Sequence, residues 1–151
     1  MAIIRQATGK DITRILELYE QLAIGGSQDE MDKGDVPANH EQAFEDINKL
    51  PGCDLLVAEE NGEIVGTAMV VIVPNLSHKG LPWAIVENVV VDEKCRRSGI
   101  GKLLMDEIAV QARKAGCYKV QLLSHKTRDE AHRFYSSIGY KASAEGFRLY
   151  I

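Results

Sequence analysis

The stretch that decides the fold reads Val89-Val-Val-Asp-Glu-Lys-Cys-Arg-Arg-Ser-Gly-Ile-Gly-Lys102. The valines Val89, Val90 and Val91 close a run, residues 84–91, dense enough in β-branched side chains for a buried strand. Two arginines and two closely spaced glycines make the turn that follows. Residues 99–115 then set Leu103, Leu104, Ile108 and Ala112 on one side of a helix that Gly116 ends. A helix start presents unpaired N–H groups and a partial positive charge, so it receives anions. Gly99 and Gly101 let a phosphate reach the backbone with no Cβ in the way, and Arg96, Arg97 and Lys102 supply counter-charge. A diphosphate suits this chemistry.

Two commoner phosphate loops do not fit. A Walker loop needs a glycine where Arg96 stands, and the dinucleotide fingerprint needs a third glycine where Leu104 stands. By itself, Gly-x-Gly beside arginines reads more readily as a softened strand-to-helix turn with solvated cations. The rest of the chain has to decide.

Upstream, residues 3–7 read as a strand. Ile12, Ile15, Leu16, Leu18, Tyr19 and Leu22 then form the apolar stripe of a helix that follows Thr8 and Asp11. Asn39 stands as N-cap of a helix over 40–50, which Pro51-Gly52 ends. Residues 54–60 and 63–73 are strands joined by Asn61-Gly62, a pair that favours a type I′ hairpin turn. Downstream, 119–124 form a strand, and Thr127 with Glu130 makes a capping box for a helix ending near residue 137. Residues 140–143 and 147–151 read as two short closing strands. The order β-α-α-β-β-β-α-β-α-β-β predicts one mixed α/β (α+β) domain over residues 1–151.

Composition narrows the function classes. A chain of 151 residues, 45% hydrophobic and 26% charged, fits one soluble globular domain. A net charge of −4 argues against a nucleic-acid partner. No apolar run is long enough for a membrane span, and the N-terminal patch meets Arg5 too soon for a signal peptide, so a cytoplasmic location is expected. Cys53, Cys95 and Cys117 are odd in number and lack CxxC spacing, which excludes a disulfide framework or zinc ribbon. His40, His78, His125 and His132 have no metal-ligand spacing, so no metal site is expected. Cys95 lies in the basic loop, while Cys53 and Cys117 read as small apolar fillers.

A second motif changes the reading of the first. Arg96-x-x-Gly99-x-Gly101 resembles the pyrophosphate loop of the GNAT (Gcn5-related) N-acetyltransferases, R/Q-x-x-G-x-G/A. Ala131-His-Arg-Phe134-Tyr135-Ser-Ser-Ile-Gly139-Tyr140 resembles that family's A-x-x-F-Y-x-x-x-G-F/Y. The two stand in the family's order about thirty-five residues apart, and the strand order fits from residue 3 to 151. Residues 85–104 and 116–120 also resemble the glucosamine-phosphate acetyltransferase branch.

The resemblance implies a mixed, mostly antiparallel central sheet flanked by about four helices and splayed at an acetyl-CoA site. It implies acetyl-CoA as cosubstrate and no metal. Main-chain groups of Val89 and Val91, with Val90 between them, would pair with the pantetheine arm, and the Val89 N–H would polarise the thioester carbonyl. N–H groups of Arg97, Ser98, Gly99, Ile100, Gly101 and Lys102 would cradle the pyrophosphate beside Arg96. Tyr135, next to Phe134, would face the sulfur. The family often carries asparagine seven residues before that tyrosine; Arg128 stands there, so that cofactor contact is expected to be replaced or lost. Dimers are frequent in the family, so a homodimer is an expected state.

Direct transfer to an amine needs a base, since an alkyl ammonium titrates near 10. Glu87 is the candidate: two-residue periodicity sets it on the face of Ile85 and Val89 in an otherwise apolar strand. Its alternative is a strand-end charge or structural salt bridge. Tyr135 is the candidate acid toward sulfur, its alternative a core aromatic. His125 reads as a solvated loop histidine within reach of cofactor or substrate. The resemblance implies an acceptor against residues 23–38, whose Asp29, Glu30, Asp32 and Asp35 would draw in a cation or form a solvated loop, and against residues 74–83, where Trp83 would wall the pocket or pin the start of the strand. The expected activity is acetyl transfer from acetyl-CoA to a primary amine of a small molecule. A protein N-terminal or lysine acetyltransferase, and a non-catalytic acyl-CoA-binding domain, are the alternatives.

Overall fold

The computed structural model describes residues 1–22 and 38–151, so the acidic stretch with Asp29, Glu30, Asp32 and Asp35 lies outside the described residues. Its strands are β1 (Ile3–Gln6), β2 (Cys53–Glu60), β3 (Glu63–Val73), β4 (Trp83–Val91) and β5 (Val120–Leu122). Its helices are α1 (Ile12–Glu20), α2 (His40–Lys49), α3 (Ile100–Lys114) and α4 (Asp129–Ser137). The strands form one sheet in the order β1-β2-β3-β4-β5, antiparallel except for the parallel pair β4–β5. Asn61 and Gly62 take φ of 52° and 80°, as the hairpin turn between β2 and β3 requires.

Two apolar layers sandwich the sheet. Leu104, Met105 and Ile108 of α3 pack on Leu56, Ala68, Val70 and Val86. Ile15 and Leu18 of α1 pack on Val57, Ile64 and Val90 from the other side. Leu18, Leu104 and Ile108 are completely buried, each stabilising by about 1.5–3 kcal/mol. The Thr67 hydroxyl, wholly buried in this core, donates to the Leu56 carbonyl at 2.7 Å and so is not left unpaired.

β4 does not keep its register. Thr67 pairs with Val90 and Met69 with Glu87, so Asn88 and Val89 together oppose Ala68 alone. This is a β-bulge, and Asn88 takes a φ of 54° within it. One extra residue reverses the alternation of faces. Before the bulge Ala84 and Val86 face α3; after it Val89 and Val91 do, and Val90 turns to the α1 side. Glu87 and Val89 therefore do not share a sheet face, contrary to the simple two-residue period.

β4 and β5 pair only over Ala84–Val86 and Val120–Leu122. Among the described residues β4 continues to Val91 without a strand on that side, and the sheet opens there. The splay expected from the family resemblance is therefore present.

Three sequence expectations are corrected. Residues 140–143 and 147–151 form no strand: β-branched and aromatic side chains favour extended backbone, but a strand also needs an edge to bond to. Arg128, not Thr127, is the residue preceding α4; the Thr127 hydroxyl lies 2.9 Å from His125 Nδ1, and Glu130 faces Arg97 at 3.7 Å. Asn39 does precede α2, but its side chain makes no capping bond.

Candidate active site

The loop leaving β4 is anchored before it turns. Asp92 donates its N–H to the Val65 carbonyl at 2.8 Å, and its carboxylate accepts the Lys94 N–H at 3.0 Å and a bond from Arg14 of α1. The Lys94 N–H, together with the Arg14 guanidinium, holds the Asp92 carboxyl below the usual carboxylate range. Gln21 accepts the Glu93 N–H at 2.9 Å, tying the end of α1 to the same loop.

Beyond this anchor Gly99 takes a φ of 86°, a left-handed conformation that sends the chain sharply into α3. The first α3 bond runs from the Leu103 N–H to the Gly99 carbonyl at 3.0 Å, leaving the N–H groups of Ile100, Gly101 and Lys102 ahead of it without helical partners. Gly101 has a second duty. A Cβ there would lie 3.1 Å from Cζ of Phe134, so the missing side chain is what lets α4 close on α3. The two sequence motifs touch at this point.

Between the two helix starts and the bulged part of β4 lies a cleft of about 600 Å³, the size of a small-molecule site. Val89, Val90, Val91, Arg96, Arg97, Gly99, Ile100, Gly101, Lys102, Arg128, Phe134 and Tyr135 all line it. Ser98 is not on its wall; its hydroxyl donates to the Cys95 carbonyl. Arg96 Nε donates to the Val91 carbonyl at 3.2 Å, so one main-chain acceptor of β4 is already engaged. Arg97 and Lys102 face Glu130 and Asp106, pairs exposed enough to exchange for a ligand anion. Sequence reasoning missed Gln21, Thr127, Asp129 and Ala131, which also line the cleft. The readable signal was the start of α4, which had to face the start of α3 once Phe134 met Gly101.

A smaller cavity of about 150 Å³ opens on the other side of the bulge, with Glu87, Asn88, Ser124, His125 and Arg148 on its wall. It shares Val89, Arg128 and Tyr135 with the cleft. Glu87 and Tyr135 are thus brought to one cavity, although by the bulge and not by strand periodicity. His125 is half-buried on that wall rather than a solvated loop residue. Its Nδ1 accepts the Thr127 N–H at 3.2 Å, which leaves Nε2 as the donor of the neutral ring. The Ser124 hydroxyl, also on this wall, is buried without a partner among the described residues.

Tyr135 is half-buried, packed 5.2 Å from the Phe134 ring and 6.0 Å from the Tyr140 ring. Burial pushes its phenol up to about 12, against an opposing pull from the Arg128 guanidinium. Trp83 lines neither cavity and instead carries the Lys119 ammonium 5.1 Å above its ring. Among the described residues no group of three or more His, Cys, Asp or Glu side chains could hold a metal ion.

A helix start with free N–H groups, a splayed strand pair and a second cavity thus meet at Tyr135. The sequence model of the Acetyltransferase (GNAT) family matches residues 10–140, and the chain belongs to that family. It is 35% identical over 91 residues to glucosamine 6-phosphate N-acetyltransferase of Trypanosoma brucei brucei, a match spanning 60% of each chain. It is 36% identical over 106 residues to aminoalkylphosphonate N-acetyltransferase of Salmonella typhimurium, spanning 68% of each. A solved structure titled as a transcriptional regulator from Bacillus halodurans superimposes over 100% of both chains with a TM-score of 0.89 at 32% identity.

Proposed function

We propose that this protein transfers the acetyl group of acetyl-CoA directly to the primary amine of a small molecule that also carries a phosphate or phosphonate. The observation that carries the reading is the meeting of the two cavities at Val89, Arg128 and Tyr135. A cosubstrate in the larger cleft would lay its diphosphate on the N–H groups of Gly99, Ile100, Gly101 and Lys102 and its pantetheine arm along Val89–Val91. An acceptor in the smaller cavity would then reach the thioester from the opposite side.

Glu87 takes the ammonium proton, directly or through one water, and the amine attacks the carbonyl carbon. The Val89 N–H, at the bulge where β4 loses register with β3, would receive the charge that builds on the carbonyl oxygen. The tetrahedral intermediate then collapses: the C–S bond breaks, the nitrogen loses its second proton to water, and the sulfur leaves as a thiolate that accepts a hydrogen bond from Tyr135. His125 is a poor alternative base because its Nδ1 lone pair is already taken by the Thr127 N–H.

Arg128, Arg148, the His125 Nε2–H and the unpartnered Ser124 hydroxyl give the smaller cavity donors and positive charge beside Glu87. That set suits an acceptor with an amine at one end and an oxyanion at the other. The relatives that act on glucosamine 6-phosphate and on aminoalkylphosphonates support the same class. Thiol release from acetyl-CoA is the test, with glucosamine 6-phosphate, an aminoalkylphosphonate, uncharged glucosamine and an amino-terminal peptide as acceptors. Turnover with the phosphorus-bearing amines, at least tenfold above glucosamine, is expected. Preference for the peptide refutes the acceptor class, and no thiol with any acceptor refutes the activity.

A further inference from the structure

Val89, Arg128 and Tyr135 line both cavities, and among these shared residues only Arg128 carries a charge. The cations nearer the start of α3 are already engaged. Arg97 faces Glu130 at 3.7 Å, Lys102 pairs with Asp106, and Arg96 Nε donates to the Val91 carbonyl at 3.2 Å. The Arg128 guanidinium has neither a hydrogen bond nor an ion pair among the described residues. Its backbone is nevertheless fixed: the Arg128 N–H donates to the His125 carbonyl at 3.1 Å, and its carbonyl accepts the His132 N–H at 3.0 Å. Arg128 precedes α4 and Tyr135 stands seven residues on, a spacing that puts both on one side of the helix. Burial raises the Tyr135 phenol, and the Arg128 charge comes close enough to oppose that rise.

We propose that Arg128 is a further catalytic residue, its guanidinium stabilising the coenzyme A thiolate as the C–S bond breaks. This role rests on the acetyl transfer proposed above. A coenzyme with its diphosphate on the start of α3 and its arm along Val89–Val91 ends where the two cavities meet. When the C–S bond breaks, the bonding pair stays on sulfur, which becomes the anion of a thiol titrating near about 8.5. Tyr135, pushed up to about 12, keeps its proton and gives only a hydrogen bond. A guanidinium does not deprotonate in a protein, so Arg128 acts by charge alone, and the thiolate takes its proton from water after release.

The other charged groups around the junction each face one cavity. Glu87 of β4, His125 after β5 and Arg148 line the smaller one, where the acceptor would lie. Glu93, Arg96, Arg97, Lys102, Asp129 and Glu130 line the cleft. Arg128 is exposed, and a coenzyme lying across it would exclude water and lengthen the reach of its charge.

Calorimetric titration of coenzyme A and of acetyl-CoA into wild type, Arg128→Gln and Arg128→Lys, between about pH 6.5 and 9.5, tests this role. A neighbouring cation lowers a thiol by roughly one pKa unit or more, so the thiolate should bind at least about tenfold tighter than the thiol. Measured against acetyl-CoA, which has no thiol to ionise, coenzyme A should gain that factor in the wild type as pH rises. Arg128→Gln should lose the gain and Arg128→Lys keep most of it. In turnover Arg128→Gln should lower kcat about tenfold, with the KM for acetyl-CoA within about threefold. Equal pH dependence of the two ligands in the wild type overturns the role, as does a gain that survives Arg128→Gln. Equal weakening of both ligands at every pH puts Arg128 on a phosphate instead, and a raised acceptor KM with the gain intact puts it on the acceptor; either result overturns the role. The binding readouts need no acceptor, so a wild type that turns over none of the amines refutes the acetyl transfer while the thiol comparison still decides on Arg128. Should Arg128→Gln not fold, Arg128→Met takes its place, and the wild-type comparison alone suffices to refute.

Discussion

Removing the hydroxyl of Tyr135 separates two ways a tyrosine can assist a leaving thiolate. A thiol titrates near 8.5 in solution, whereas burial pushes this phenol up to about 12. Handing the proton fully to sulfur would therefore run uphill by more than three pKa units, roughly 5 kcal/mol. Tyr135 is better suited to donate a hydrogen bond and keep its proton. A hydrogen bond to a charged acceptor contributes about 1.5–3 kcal/mol, so Tyr135→Phe should lower kcat roughly 10- to 150-fold. The ring keeps its packing at 5.2 Å from Phe134 and 6.0 Å from Tyr140, so the KM for acetyl-CoA should stay within about threefold. The assay is continuous thiol release at saturating acceptor between pH 6 and 10.5. An unchanged kcat would show that the hydroxyl does not reach the sulfur. A wild-type alkaline limb near pH 9 that vanishes in the variant would show a phenol titrating far below 12, and the burial argument would fail.

Three further outcomes follow from the same geometry. Glu87→Gln should lower kcat about 10²- to 10⁴-fold at pH 7, with part of the loss regained near pH 10 where the amine is already neutral; an unaltered rate and pH profile would return Glu87 to a structural role. Asp11, bonded to Arg5 at 2.8 and 3.1 Å and to the Thr8 N–H at 2.7 Å, has its carboxyl lowered to about 2 from 3.8. A depressed carboxyl stabilises the fold above its unfolded pKa and ceases to do so as pH falls through its folded one. Asp11→Asn should therefore cost roughly 2 kcal/mol at pH 7 in urea unfolding, the gap closing between about pH 4 and pH 2; a gap independent of pH contradicts the ion pair as cause. Leu104→Ala, at a side chain wholly buried between α3 and the sheet, should cost about 2–5 kcal/mol by the same method, and a loss under 1 kcal/mol would put the core elsewhere.

The elements were largely legible because each carries its own period: the stripe of α1, the hairpin at Asn61-Gly62 and the valines of β4 all form near their expected limits. What period alone could not reveal was a change of period. Asn88 was the available sign, an asparagine in a run of valines and a residue type that tolerates positive φ. Without the bulge, Glu87 and Val89 were assigned one face, and the reason given for Glu87 was wrong although it does line a cavity with Tyr135. Likewise Gly101 read as room for phosphate, whereas Phe134, thirty-three residues later, also occupies that space. Contacts between distant motifs leave no trace in local spacing. The closing strands failed for the opposite reason: their local pattern is strand-like, but a strand forms only where a neighbouring backbone takes up its ladder, which local sequence does not reveal.

Titrating coenzyme A into the purified chain in a calorimeter asks the central question without needing the acceptor. The cleft that joins the bulged strand to the two helix starts should take up one coenzyme per chain, saturably and at micromolar or tighter concentration. No detectable binding to folded protein would mean that the unpaired N–H groups of Ile100, Gly101 and Lys102 hold no such diphosphate, and the account of this site would be wrong.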